Sequence, residues 1–114
     1  MTLKKATADY SNFTALDIRI GRIIEVTESL TKKPTYRLRI DFGQEIGEKV
    51  SCGAYRNYQR DDLLGKQVVC VVNFPPLKMG PEVSEVLVLG VENDKGETIY
   101  LMPQTEVSSG GQVF

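Results

Sequence analysis

Between Leu16 and Val26 the apolar residues fall mostly at alternate positions: Leu16, Ile18, Ile20, Ile24 and Val26. A period of two marks a strand with one buried face. Gly21, in the middle of that run, predicts a bulge or a tight bend at a barrel corner. The next segment alternates more cleanly, with Tyr36, Leu38, Ile40 and Phe42 on one face and Arg37, Arg39 and Asp41 on the other. Glu48 to Cys52 reads as a short third strand. Gly53 to Leu64 has no such period and reads as a turn and a short helix, with Arg60, Asp61 and Asp62 in its last turn or at the entry to the next strand. Gln67 to Val72 and Val83 to Val91 are apolar at successive positions, so both faces of each should be covered. Asn93-Asp94-Lys95-Gly96 is a turn by composition and closes a hairpin with Thr98 to Met102. Near the start, Asn12 is placed to cap a helical turn over Phe13 to Leu16. A loop, Ser108 to Gly111, precedes the short end Gln112-Val113-Phe114.

These elements predict an all-β protein. The specific expectation is a five-stranded OB-fold barrel with a short helix between strands 3 and 4 and N- and C-terminal extensions. Residues 1–11 read as a polar tail and 12–114 as a single domain. The two doubly apolar runs point to a second covered wall, as a subunit interface would give. At 114 residues the chain is long enough for one self-sufficient core. No apolar run approaches the roughly 20 residues that span a bilayer, and no apolar stretch follows Lys4 and Lys5. A cytoplasmic protein without membrane insertion is therefore expected. Cys52 and Cys70 have no zinc-ligand spacing and read as buried thiols of a reducing compartment.

The chain has no histidine, which removes the commonest general base and a common metal ligand. Asp41-Phe42-Gly43 spells a kinase magnesium motif, but the chain lacks the other kinase motifs. Ser51-Cys52-Gly53 has only a lysine as a conceivable base. Asp61 and Asp62, being adjacent, diverge on a helix, and Asp41, Glu45 and Glu48 read as a solvated turn. No catalytic residue, metal ligand or cofactor is expected. Net charge is −1, so any polyanion site must be a local patch. Arg19, Arg37 and Arg39 project from the polar faces of the first two strands as such a patch, and Lys32, Lys33 and Arg56 could extend it. Asp17 and Asp41 could equally pair off that charge. Tyr36, Tyr55 and Tyr58 are open to base stacking or to core packing. The segment NFPPLKMGPEVSEVLVLG holds Asn73, Lys78, Ser84 and Glu85 beside two prolines that stiffen it. Its donors and acceptors suit splayed-out RNA bases, or a structural loop.

The stretches LDIRIGRIIEV, YRNY, LLGKQVVCVVNFPP, SEVLVLG and LMPQTEVSSGGQV, in this order, resemble the stand-alone tRNA-binding OB domain that is also appended to some methionyl- and tyrosyl-tRNA synthetases. The chain resembles in particular the CsaA-type secretion chaperone, through NFPP and SEVLVLG. The resemblance spans roughly residues 12 to 114. It implies a homodimer that binds tRNA by shape and exposed bases without catalysis, with Asn73, Lys78, Ser84 and Glu85 as the matched binding residues. Arg19, Arg37, Arg39 and Arg56 join them from the basic patch. For the CsaA branch it also implies binding of unfolded or pre-secretory peptides. Here the loop departs from the family: a single lysine remains, Glu82 adds negative charge, and Phe74, Leu77, Met79 and Val83 give an apolar surface suited to a peptide. A module that docks on a synthetase is a third alternative.

Overall fold

The computed structural model describes residues 3–31 and 34–114. In chain order its elements are α1 (Tyr10–Thr14), β1 (Ile18–Glu28), β2 (Tyr36–Asp41), β3 (Glu48–Gly53), α2 (Arg60–Leu63), β4 (Gln67–Val71), β5 (Leu77–Met79), β6 (Glu82–Ser84), β7 (Leu87–Val88), β8 (Gly90–Glu92) and β9 (Thr98–Tyr100). The main sheet is five-stranded in the order β3-β2-β1-β4-β7, all antiparallel. β5-β6 and β8-β9 are separate hairpins. The predicted OB-like barrel is thus present, with its short helix between the third and fourth strands. Among the described residues no helix is long and apolar enough to cross a membrane.

β1 curls the sheet. Its first half pairs with β4 and its second half with β2, and Arg22 faces Gln67 on one side and Asp41 on the other. Gly21 sits at this bend because nothing larger fits: an added Cβ would lie 2.5 Å from Ile40 Cγ2 and 2.6 Å from the Phe42 ring. The bulge itself is further along, between Ile23 and Glu25. It shifts the phase by one residue, so the alternating buried positions of β1 belong to two faces. Ile23 and Val26 enter the barrel core with Leu38, Ile40, Phe42, Leu63, Val68 and Cys70. Ile18 and Ile20 are buried on the outside, where Gly110 and Gly111 pair with Ile20 and Val113 donates to the Ile18 carbonyl. The C-terminal extension is therefore an added edge beside β1, as Arg19↔Gln112 confirms.

Several local expectations are corrected. α1 starts earlier, with Asp9 rather than Asn12 at its N-cap and no side-chain cap bond. Arg60, Asp61 and Asp62 open α2 rather than close it. The run from Val83 to Val91 is not one strand covered on both faces. It breaks into β6, β7 and the start of β8, with Val86 and Val88 buried but Val83, Leu87 and Val91 exposed by 46%, 48% and 55%. The 67–72 run does fit its expectation: Gln67, Val68, Cys70 and Val71 of β4 are all buried.

The barrel closes between β3 and residues 84–86, where two side chains substitute for a partner strand. The Val50 carbonyl accepts from the amides of Glu85 (2.7 Å) and Val86 (3.3 Å). Glu85 Oε1 accepts from the Val50 amide at 3.0 Å, and Ser84 Oγ accepts from the buried Cys52 amide at 3.1 Å while donating to the Val86 carbonyl at 3.2 Å. A buried amide without an acceptor costs free energy, so these contacts hold the seam.

Two stability predictions follow from the bend and the seam. Gly21→Ala should destabilise the fold by about 1–3 kcal/mol through overpacking. Ser84→Ala should cost a similar ~1–3 kcal/mol by orphaning the Cys52 amide. Urea unfolding measures both. Lys78→Ala, at an exposed position, should change stability by less than about 0.5 kcal/mol in the same assay.

Candidate functional site

An OB barrel binds ligands on its second and third strands, flanked by the loops that join strands 1–2 and 4–5. In this chain those loops are residues 29–35 and the segment holding the β5-β6 hairpin. The hairpin turns at Gly80, whose φ of 63° is open to glycine without strain. Glu82 ties it to the rest: Oε2 accepts from the Leu30 amide at 3.0 Å and Oε1 lies 3.8 Å from Arg37 Nε. Glu82 thus has a mechanical role, joining hairpin, loop and β2.

The arginines occupy different places. Arg37 and Arg39 lie on the outer face of β2, opposite Thr27 and Glu25 of β1. Arg37 is 3.8 Å from Glu25, and Arg39 is 3.7 Å from Glu25 and 3.4 Å from Glu48. Arg56 bonds Glu28 at 2.5 Å, and its guanidinium lies 4.8 Å above the Tyr36 ring. Arg19 departs from the predicted patch. It pairs with Cys70, a core residue, and residues directly opposite share a face, so it points to the core side. There it bonds Asp17 at 2.6 Å and the Gly110 carbonyl at 3.1 Å. The Asp17 hydrogen bond raises its pKa above the usual arginine value. Of the two aspartates expected to offset the arginines, Asp17 does so, whereas Asp41 Oδ1 accepts from the Gly43 amide. Glu25, Glu28, Glu48 and Glu82 do most of the pairing. Only the strand register could have revealed the Glu25–Arg39 pair. Lys32 and Lys33 lie outside the described residues.

The remaining polar candidates are engaged within the fold. Asn73 Oδ1 accepts from the Asp17 amide at 2.8 Å, and its Nδ2 donates to the Ala15 carbonyl at 2.9 Å, clipping the end of β4 to the start of β1. Ser84 and Glu85 hold the seam. Lys78, opposite Val83 on the hairpin, is exposed. Among the described residues it has no ion pair.

Two apolar hollows flank the hairpin. One, of about 330 Å³, is lined by Phe74, Leu77, Met79, Tyr55, Leu87 and Cys52. The other, of about 720 Å³, is lined by Leu30, Ala54, Met79, Pro81 and Cys52 among others. Three of the four apolar peptide candidates come together here; Val83 does not line either hollow. Sequence reasoning missed Leu30, whose only signal is one apolar residue in a polar loop. Cys52 faces both hollows, but burial pushes its thiol pKa up, and burial pushes that of Cys70 to about 12. Neither thiol is poised as a nucleophile. Tyr55 is a core residue whose hydroxyl donates to the Val88 carbonyl at 3.1 Å. Tyr36, also buried, donates to the Tyr58 carbonyl at 3.0 Å, and Tyr58 packs against Tyr100 at 5.1 Å.

On the opposite wall, a hollow of about 670 Å³ runs between Phe13, Ile18, Ile20, Leu101, Met102 and Val107. The second covered wall expected from sequence is thus met in part by the chain's own C-terminal segment, which leaves an apolar groove.

Known proteins share this fold. Residues 18–112 match the family described as "Putative tRNA binding domain". A methionine–tRNA ligase of Bacteroides fragilis is 34% identical over 109 residues, which cover 96% of this chain and 16% of the ligase. The chain thus spans about one sixth of the length of that relative. The CsaA chaperone protein from Picrophilus torridus superimposes with a TM-score of 0.90 at 38% identity, covering 95% of this chain and all of that one. The chaperone CsaA from Bacillus anthracis does so with a TM-score of 0.88 at 40% identity, covering 96% of this chain and all of that one. This chain belongs to the tRNA-binding domain family.

Proposed function

We propose that the chain is a non-catalytic, dimeric tRNA-binding protein of the cytoplasm that recognises tRNA by shape and exposed bases. The observation that carries this reading is the placement of Arg37 and Arg39 on the outer face of β2, beside the hairpin that bears Lys78. The pairs that Arg37 and Arg39 make with Glu25 and Glu48 on that face are 3.4–3.8 Å long and solvent-facing. Such pairs contribute only about 0–1 kcal/mol each, so an arriving phosphate can exchange for a carboxylate. Asn73, Ser84, Glu85 and Arg19 then act as supports that fix the surface, while Lys78, Arg37, Arg39 and Arg56 make the contacts.

A second reading is favoured by the two apolar hollows: an extended, unfolded peptide seated along Phe74, Leu77 and Met79. Two structural neighbours carry the name chaperone. Salt separates the readings, because phosphate contacts release counterions and apolar burial does not. Binding of bulk tRNA should weaken as salt rises, with a slope of about 0.7–0.9 per phosphate contacted. Lys78→Ala and Arg39→Ala should each weaken binding and flatten that slope by about one unit. Unchanged affinity in both variants would remove the RNA assignment from this face.

Dimerisation rests on the groove bounded by Leu101, Met102, Val107 and Phe13, in which Met102 is 60% exposed. A second copy would cover it. Light scattering at micromolar concentration should give twice the chain mass, and Met102→Glu should halve it. A wild-type monomer under those conditions rules the dimer out.

A further inference from the structure

We infer that the polar cavity between the end of β1 and the start of α2 is a subsite for one unpaired nucleotide of the bound RNA. The inference rests on the RNA-binding reading above and assigns it a site away from the hairpin. The cavity measures about 440 Å³ and is lined by Glu28, Tyr36, Arg56, Tyr58, Gln59, Arg60 and Asp61. That volume lies within the roughly 300–1,000 Å³ of small-ligand sites.

Its walls are unlike those of the apolar hollows, because charged and amide groups dominate. The floor is preorganised. Tyr36 is buried and tethered through its hydroxyl to the Tyr58 carbonyl, and Arg56 Cζ lies 4.8 Å from the Tyr36 ring centroid while Glu28 holds its guanidinium. A guanidinium seated over an aromatic ring is a platform for a base, and unstacked bases are what arginine and aromatic platforms take up in RNA loops. The rim carries groups with no side-chain hydrogen bond or ion pair among the described residues: the Gln59 amide, the Arg60 guanidinium and the Asp61 carboxylate. All three residues are exposed. Gln59 supplies an adjacent donor and acceptor, the pair that reads the N6 and N7 edge of adenine. Asp61 accepts from an exocyclic amino group, and Arg60 meets a phosphate. An apolar peptide side chain would find none of its needs met here, which favours a nucleotide.

The test is tRNA binding across a salt series by the wild type and by Arg60→Ala, Gln59→Ala and Arg56→Lys. The Arg60 and Gln59 side chains are exposed and have no partner among the described residues, so their variants should fold as the wild type does, which thermal unfolding checks. Arg60→Ala should weaken binding about fivefold and lower the salt slope by about one unit. Gln59→Ala and Arg56→Lys should weaken it without changing the slope, since one loses a base contact and the other keeps its charge while losing the planar stacking surface. If tRNA binds and all three variants match the wild type, the subsite is wrong and the RNA reading stands. If the wild type binds no tRNA even at low salt, both fall together.

Discussion

The whole barrel depends on how β3 finds a partner on its outer edge. Residues 84–86 are too short and too bent to form a regular strand there, so the Ser84 hydroxyl and the Glu85 carboxylate accept from the Cys52 and Val50 amides instead. This closure covers the edge of β3 at Val50 and Cys52, and exposed edges invite aggregation. It also sets where everything else goes. The hairpin β5-β6 leads into Ser84 and is therefore anchored over Cys52, and Glu82 then reaches the Leu30 amide and Arg37. The end of the fold that carries the hairpin is assembled from its own seam.

The electrostatics of that end are balanced rather than basic. Each outward arginine of β2 shares its charge with two glutamates, which fits a chain of net charge −1. A surface of this kind gives little long-range attraction for a polyanion. It holds its arginines in defined positions, so in the proposed RNA reading affinity comes from local exchange of partners and from stacking. The apolar hollows beside Met79 occupy the same end, so one surface offers RNA chemistry and peptide chemistry side by side.

Much of this was legible in the residues. β2 could be read completely, because its apolar residues all enter one core. β1 could be read as a strand with a bend or bulge at Gly21, but its period of two persists while the bend and the bulge at Ile23/Glu25 move the buried side chains from the outer wall to the core, and no local pattern marks which residues change face. The stretch from Val83 to Val91 misled because apolar residues there are placed for a hairpin and an outer surface as well as for the core. Asn73, Ser84 and Glu85 read as ligand contacts for a related reason. A side chain that accepts from a backbone amide is the same side chain that reads a base, and only the fold reveals which partner it meets.

The central claim is that RNA meets the outer face of β2 and the β5-β6 hairpin while the seam and the C-terminal edge stay uninvolved. Amide hydrogen exchange on the protein with and without saturating tRNA tests it most directly. The account predicts added protection at 37–39, 56–61 and 77–83, with 101–113 unchanged by RNA. Protection confined to 101–113, or spread evenly with no change at the hairpin, would contradict it.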